Sequence, residues 1–120
     1  MDAREVVERY QAGEKDLRGV DLSQANLNEA DLTGADLRGA KLCESYLKRA
    51  NLGGADLRDA VLTGAILSGA NLMGATLTSA TLTGAKLRGA NLTGARVTAK
   101  QLAQAKSLEG AAMPDDTIHP

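Results

Sequence analysis

Few side chains in this sequence could carry a reaction, and their spacing argues against most chemistries. His119 is the single histidine and the penultimate residue. A general acid or base needs a partner to orient it, and nothing near His119 supplies one. Cys43 is the single cysteine, so no internal disulfide can form. It follows Leu42 and should face outward, without a histidine to generate a thiolate. Lys41 and Lys48 are its nearest cations, and an inert surface thiol is the expectation. No cluster of His, Cys, Asp or Glu has metal-ligand spacing. The glycines recur in fives and open no helix, so they cradle no phosphate. Carboxylates are plentiful, yet without a cleft to desolvate them none is tuned for catalysis. The sequence therefore predicts neither an enzyme nor a cofactor.

What organises these residues is a five-residue period. It reads Ala25-Asn26-Leu27-Asn28-Glu29, Ala35-Asp36-Leu37-Arg38-Gly39 and Ala90-Asn91-Leu92-Thr93-Gly94. Leucine occupies every fifth position from Leu17 to Leu92, sixteen in succession, and Val97 continues the series. Alanine stands two residues before each leucine from 25 to 95, with Ser45 the one exception. On an α-helix, leucines in fives would spread around every side. On a straight strand they would alternate between faces. A chain that turns a corner every five residues points them all inward. Internal repeats of this kind dictate the fold before any local propensity does.

The remaining positions agree. Residues flanking each leucine point outward and are mostly Asp, Asn, Lys, Arg, Ser or Thr. The position two after the leucine is glycine in ten of sixteen units. A type II turn needs positive φ there, which glycine adopts without steric cost. The other six are Gln24, Glu29, Glu44, Arg49, Asp59 and Ser79. For these a different turn type is expected, with irregular corners concentrated in the first half.

The tandem A-(D/N)-L-x-x pattern over residues 15–99 resembles the pentapeptide-repeat family. Ser107-Leu108-Glu109-Gly110-Ala111 also looks like the ends of cyanobacterial members. The resemblance implies an all-β fold: a right-handed quadrilateral parallel β-helix of about four coils, each coil built from four pentads. Residues 1–14 are expected as an N-terminal helical cap, 15–97 as the β-helix, and 98–120 as a C-terminal helical cap and tail, all in one domain. Asp2 with Glu5 and Thr98 with Gln101 have capping-box spacing. Gly13 lies where a helix should stop. Such caps would shield the open coil ends from edge-to-edge pairing. Part of the tail is expected to fold back along the coil, leaving its last residues mobile.

Composition bounds the function. A net charge of −1 over 120 residues gives no case for direct nucleic-acid or membrane binding. No apolar run is long enough to cross a membrane, and the charged opening Met1-Asp2-Ala3-Arg4-Glu5 is unlike a signal peptide, so a cytoplasmic protein is expected. With two tyrosines and no Phe or Trp, the interior must be a narrow stack of Leu and Ala, without a ligand cavity. Stacking at twenty-residue intervals would place Asp16, Asp36 and Asp56 beside Arg18, Arg38 and Arg58, as a solubilising charge ladder. Asp31, Asn51, Asn71 and Asn91 would stack on another side.

Val61 to Ala85 contains no charged residue. With Tyr46, Val61, Ile66 and Met73 outward, this belt is the candidate surface for a protein partner of unknown identity. A monomer or weak homodimer is expected. Against a contact role stands the ordinary preference of Val, Ile and Thr for extended backbone. The alternative, implied by the family, is a DNA-mimicking modulator of DNA gyrase or topoisomerase. Residues 1–60 carry 12 acidic and 9 basic groups, and residues 61–120 carry 3 and 5, so neither half is the polyanion that mimicry requires.

Overall fold

The computed structural model describes residues 2–120. Its body is a coil that closes every twenty residues. Parallel bridges join Asp16 to Asp36, Asp36 to Asp56, Asp56 to Thr76 and Thr76 to Arg96 up one side. Three more sides repeat this register through Asp21–Lys41–Val61–Thr81, Asn26–Tyr46–Ile66–Lys86 and Asp31–Asn51–Asn71–Asn91. We number these sides faces one to four, in that order.

Each bridge is isolated, and no longer strand forms. Five residues per side leave room for a short extended piece and a corner, nothing more. Pairing between coils is nevertheless dense. On face four, Leu32 N–H donates to the Asn51 carbonyl (2.8 Å), Gly34 N–H to that of Gly53 (2.9 Å), and Asn51 N–H back to Ala30 (2.9 Å). The main chain thus satisfies its polar groups without long strands.

The leucines line the shaft. Leu17 to Leu92 are at most 3% exposed, and Ala35 to Ala95 at most 7%. Ala25 and Ala30, in the first coil, are half-buried because no further coil stacks beneath them. Ser45 sits fully buried at an alanine position, and its hydroxyl donates to the Leu42 carbonyl at 2.8 Å. Burying each leucine contributes about 1.5–3 kcal/mol, so the stack carries most of the favourable energy.

All sixteen corners share one conformation, which corrects the expectation of a second turn type. The ten glycines have φ of 65–71°, and Gln24, Glu29, Glu44, Arg49, Asp59 and Ser79 have φ of 55–63°. At every corner the next residue's N–H donates to the leucine carbonyl, as in Ala25 to Leu22 (3.0 Å) and Ala80 to Leu77 (2.9 Å). Inter-coil hydrogen bonds on both flanks impose the geometry, and the local residue tolerates it.

Helix α1 (Ala3–Gln11) covers the first coil. Asp2 caps it by accepting from Glu5 N–H at 2.9 Å, while the Glu5 carboxylate reaches Arg9 at 3.7 Å instead of closing a full box. Val6 is fully buried, and the Tyr10 hydroxyl donates to the Thr33 carbonyl at 2.6 Å, pinning the helix to the coil.

At the other end, α2 (Ala99–Ala103) carries the complete capping box between Thr98 and Gln101. The path then differs from a simple tail. Ser107 bridges to Lys86 and Ala112 to Asn91, so the ladder resumes after the helix, offset by one residue. Ala111 is fully buried, as an inward alanine should be. The end is also tied down: His119 N–H donates to Ala111 (2.8 Å) and its carbonyl accepts from Gly110 (2.9 Å). Two main-chain bonds to the last coil leave His119 half-buried, where a loose, exposed terminus was expected.

Candidate functional site

Because the interior is filled by Leu and Ala, any site must lie on the outer walls. On face one, Asp and Arg alternate in a ladder. Arg18 grips its own Asp16 with two bonds of 2.8 Å and lies 3.9 Å from Asp36 one coil up. Arg38 repeats this with Asp36 (2.8 and 2.7 Å) and Asp56 (3.8 Å), and Arg58 closes the series on Asp56. Hydrogen bonds from Arg18 hold the Asp16 carboxyl down at about 2. Arg38 and Arg58 likewise depress Asp36 and Asp56. Within the ladder each charge is spent on a neighbour, and Arg96, exposed at the top of the same face, is its one arginine outside any ion pair among the described residues.

Face four is an amide ladder. Asn71 Nδ2 donates to Asn51 Oδ1 at 3.1 Å, and each side chain also accepts from the N–H two residues on, Gly53 and Met73 (both 3.0 Å). The amides carry no charge, and the one carboxylate of the ladder, Asp31 at its foot, accepts from the Thr33 N–H (3.1 Å) and hydroxyl (2.6 Å).

The four residues singled out from sequence fall on three different faces. Tyr46 and Ile66 are bridged neighbours on face three. Val61 lies on face two between Lys41 and Thr81. Met73 follows Asn71 on face four. The uncharged run Val61–Ala85 is therefore a ring around the rod and not a single patch. Within that set Tyr46 is 46% and Met73 50% exposed, while Val61 and Ile66 are half-buried. The sequence alone groups Lys86 and Arg88 with Arg96 and Lys100 as a sparse basic set; the coil instead puts Lys86 and Arg88 with Lys48 and Arg49, on the same side as Tyr46 and Ile66. Their common side is visible only when residues are sorted by twenties.

Cys43 is partly exposed on face two. Among the described residues no group of three or more His, Cys, Asp or Glu is placed to hold a metal, and no helix is long and apolar enough to cross a membrane.

Residues 16–54, 44–78 and 55–94 match the family described as pentapeptide repeats, in eight copies. No curated protein matches the chain. Among solved structures, a pentapeptide repeat protein of the Arabidopsis thaliana thylakoid lumen is 34% identical, with a TM-score of 0.56 over 87% of this chain and 68% of that one. A pentapeptide repeat protein of Nostoc PCC 7120 is 35% identical, with a TM-score of 0.50 over 88% and 95%. A trypsin-treated form of QnrB1, a plasmid-mediated fluoroquinolone resistance protein, shares the fold at 19% identity, with a TM-score of 0.60 over 80% of this chain and 58% of that one.

Proposed function

The chain belongs to the pentapeptide-repeat family, and from that premise we propose that it is a rigid, non-enzymatic module whose flat outer walls serve protein interaction or a structural role. We read its coil as the right-handed quadrilateral β-helix of that family. The observation that carries the functional reading is the closed interior: a shaft of leucines at most 3% exposed leaves only the outside for work. Tyr46, Val61, Ile66 and Met73 are the proposed contact residues, because large apolar side chains held at the surface of so rigid a frame fit a contact role. The test compares affinity capture and oligomeric state of the wild type with an Ile66→Asp/Met73→Asp variant. Loss of a captured protein or of self-association supports the reading. Unchanged results on both counts reduce the belt to plain surface.

A second reading, a DNA-mimicking modulator of gyrase, draws support from the likeness in fold to QnrB1. The surface opposes it. Mimicry of a duplex needs uncompensated negative charge, whereas the aspartates of face one are neutralised by arginines within the same ladder. The expected outcome of a supercoiling assay with low micromolar protein is no inhibition, and clear inhibition would reverse the order of the two readings.

A further inference from the structure

The cations of the coil are unevenly distributed. Between residues 16 and 96, Arg18, Arg38, Arg58 and Arg96 lie on face one and Lys41 lies on face two. The remaining four, Lys48, Arg49, Lys86 and Arg88, all lie on face three. Arg49 reaches Glu29 at 3.7 Å. Among the described residues, Lys48, Lys86 and Arg88 take part in no ion pair. Face one pairs Arg18, Arg38 and Arg58 with aspartates two residues earlier, and face three has Tyr46, Lys86 and Ile66 where those aspartates would stand.

The placement has a pattern. Tyr46 and Ile66 stack in adjacent coils and form the apolar centre of the face. Lys48 lies beside Tyr46, and Lys86, half-buried, stands directly above Ile66 with Arg88 next to it. The Lys48 and Arg88 rows are two coils apart, about 10 Å. An uncharged row, Ile66 to Ser68, separates them.

We propose that face three docks an acidic protein segment, with an apolar side chain of the partner on Tyr46 and Ile66 and carboxylates on either side pairing with Lys48 and with Lys86 and Arg88. This rests on the reading of the coil as an interaction module and adds the chemistry of the partner. Charge complementarity selects the occupant: three unpaired cations flank an apolar centre on this face, whereas Lys41 shares face two with Asp21 and Glu44, and Arg96 stands alone at the top of face one. A nucleic-acid strand fits less well. Its phosphates need an unbroken basic track, while here the cations form two separate rows. Glu109, one coil above Arg88, would repel a continuous polyanion at that end of the face.

The test pans displayed random peptides against three proteins: the wild type, a Lys48→Glu/Lys86→Glu/Arg88→Glu variant and a Tyr46→Ala/Ile66→Asp variant. Circular dichroism checks that each variant keeps its fold. Selected peptides are then measured by fluorescence anisotropy. The expected result is that peptides kept by the wild type and lost by the charge-reversed variant are acidic with an apolar residue. Their affinity should fall roughly tenfold or more between about 0.05 and 0.5 M salt. Peptides that depend on Tyr46 and Ile66 but are neutral or basic overturn the acidic partner and leave the interaction reading standing. A wild type that selects nothing on any face counts against both. A labelled single-stranded oligonucleotide that binds more tightly than the peptides, and is lost with the same three cations, makes the face a nucleic-acid surface and overturns the proposal.

Discussion

Gln24, Glu29, Glu44, Arg49, Asp59 and Ser79 each hold a left-handed backbone that side-chain-bearing residues adopt at a cost of about 1–2 kcal/mol. Ser79→Gly should therefore stabilise the protein by about 0.5–1 kcal/mol, the relief of strain being partly offset by the entropy of an added glycine. Gly64→Ala should cost about 1–2 kcal/mol, because φ is +67° and a Cβ there would lie 3.2 Å from Glu44 Cγ. Urea denaturation followed by circular dichroism measures both. The face-one ladder makes a prediction about pH. The Asp16 carboxyl is lowered from 3.8 to about 2 in the folded chain. A depressed carboxyl stabilises the fold above its unfolded value, and that contribution disappears as pH falls through the folded one. The melting temperature should thus hold above about pH 4 and decline toward pH 2, and Asp16→Asn should flatten that decline. The inward and outward positions of these residues could be read from the period of five. The turn at the six irregular corners could not, because neither Gln nor Arg signals a positive φ. Hydrogen bonds to coils twenty residues away enforce it.

At the scale of elements, the coil's closure turns on one side chain. Gln101 stands at the position where a further pentad would supply a backbone N–H. Its Nε2 donates instead to the Leu77 and Ala80 carbonyls at 2.7 and 2.9 Å, while its Oε1 accepts from Thr98 N–H at 2.9 Å. One amide thus starts a helix and finishes a sheet edge. Gln101→Leu leaves the Ala80 carbonyl and Thr98 N–H without these partners, the Leu77 carbonyl keeping its bond from Ala80 N–H, and should cost about 1–3 kcal/mol. Amide exchange should quicken around Thr98–Leu102 before it does in the leucine stack. The helix and its box were legible from Thr98 and Gln101. The return of the coil at Ser107 was not, although Leu108-Glu109-Gly110-Ala111 repeats the corner pattern. The α2 segment adds one residue, which takes Leu108 and Met113 out of the count by fives. Leu102 keeps that count and is buried, yet a helix delivers it to the core.

The whole molecule measures 38 × 23 × 21 Å, a short rod whose every layer touches the next. Stability in such a stack is shared between neighbours, so damage at the centre weighs more than damage at an end. Leu57→Ala, in a fully buried middle layer, should cost about 2–5 kcal/mol. Val97→Ala, where the side chain is only half-buried, should cost less than about 1.5 kcal/mol. Thermal melts monitored in the far ultraviolet would rank the two, and equal losses would contradict a layered stack. The twenty-residue ladder also survives an interruption: α2 replaces one whole side, and pairing picks up again at Ser107 and Ala112. That interruption is a natural graft site. A foreign loop spliced between Ala103 and Gln104, both exposed, would leave the frame just before Gln104 rejoins it by accepting from Gly84 N–H at 2.9 Å, so this end of the rod is where an engineer could display a peptide without recasting the scaffold.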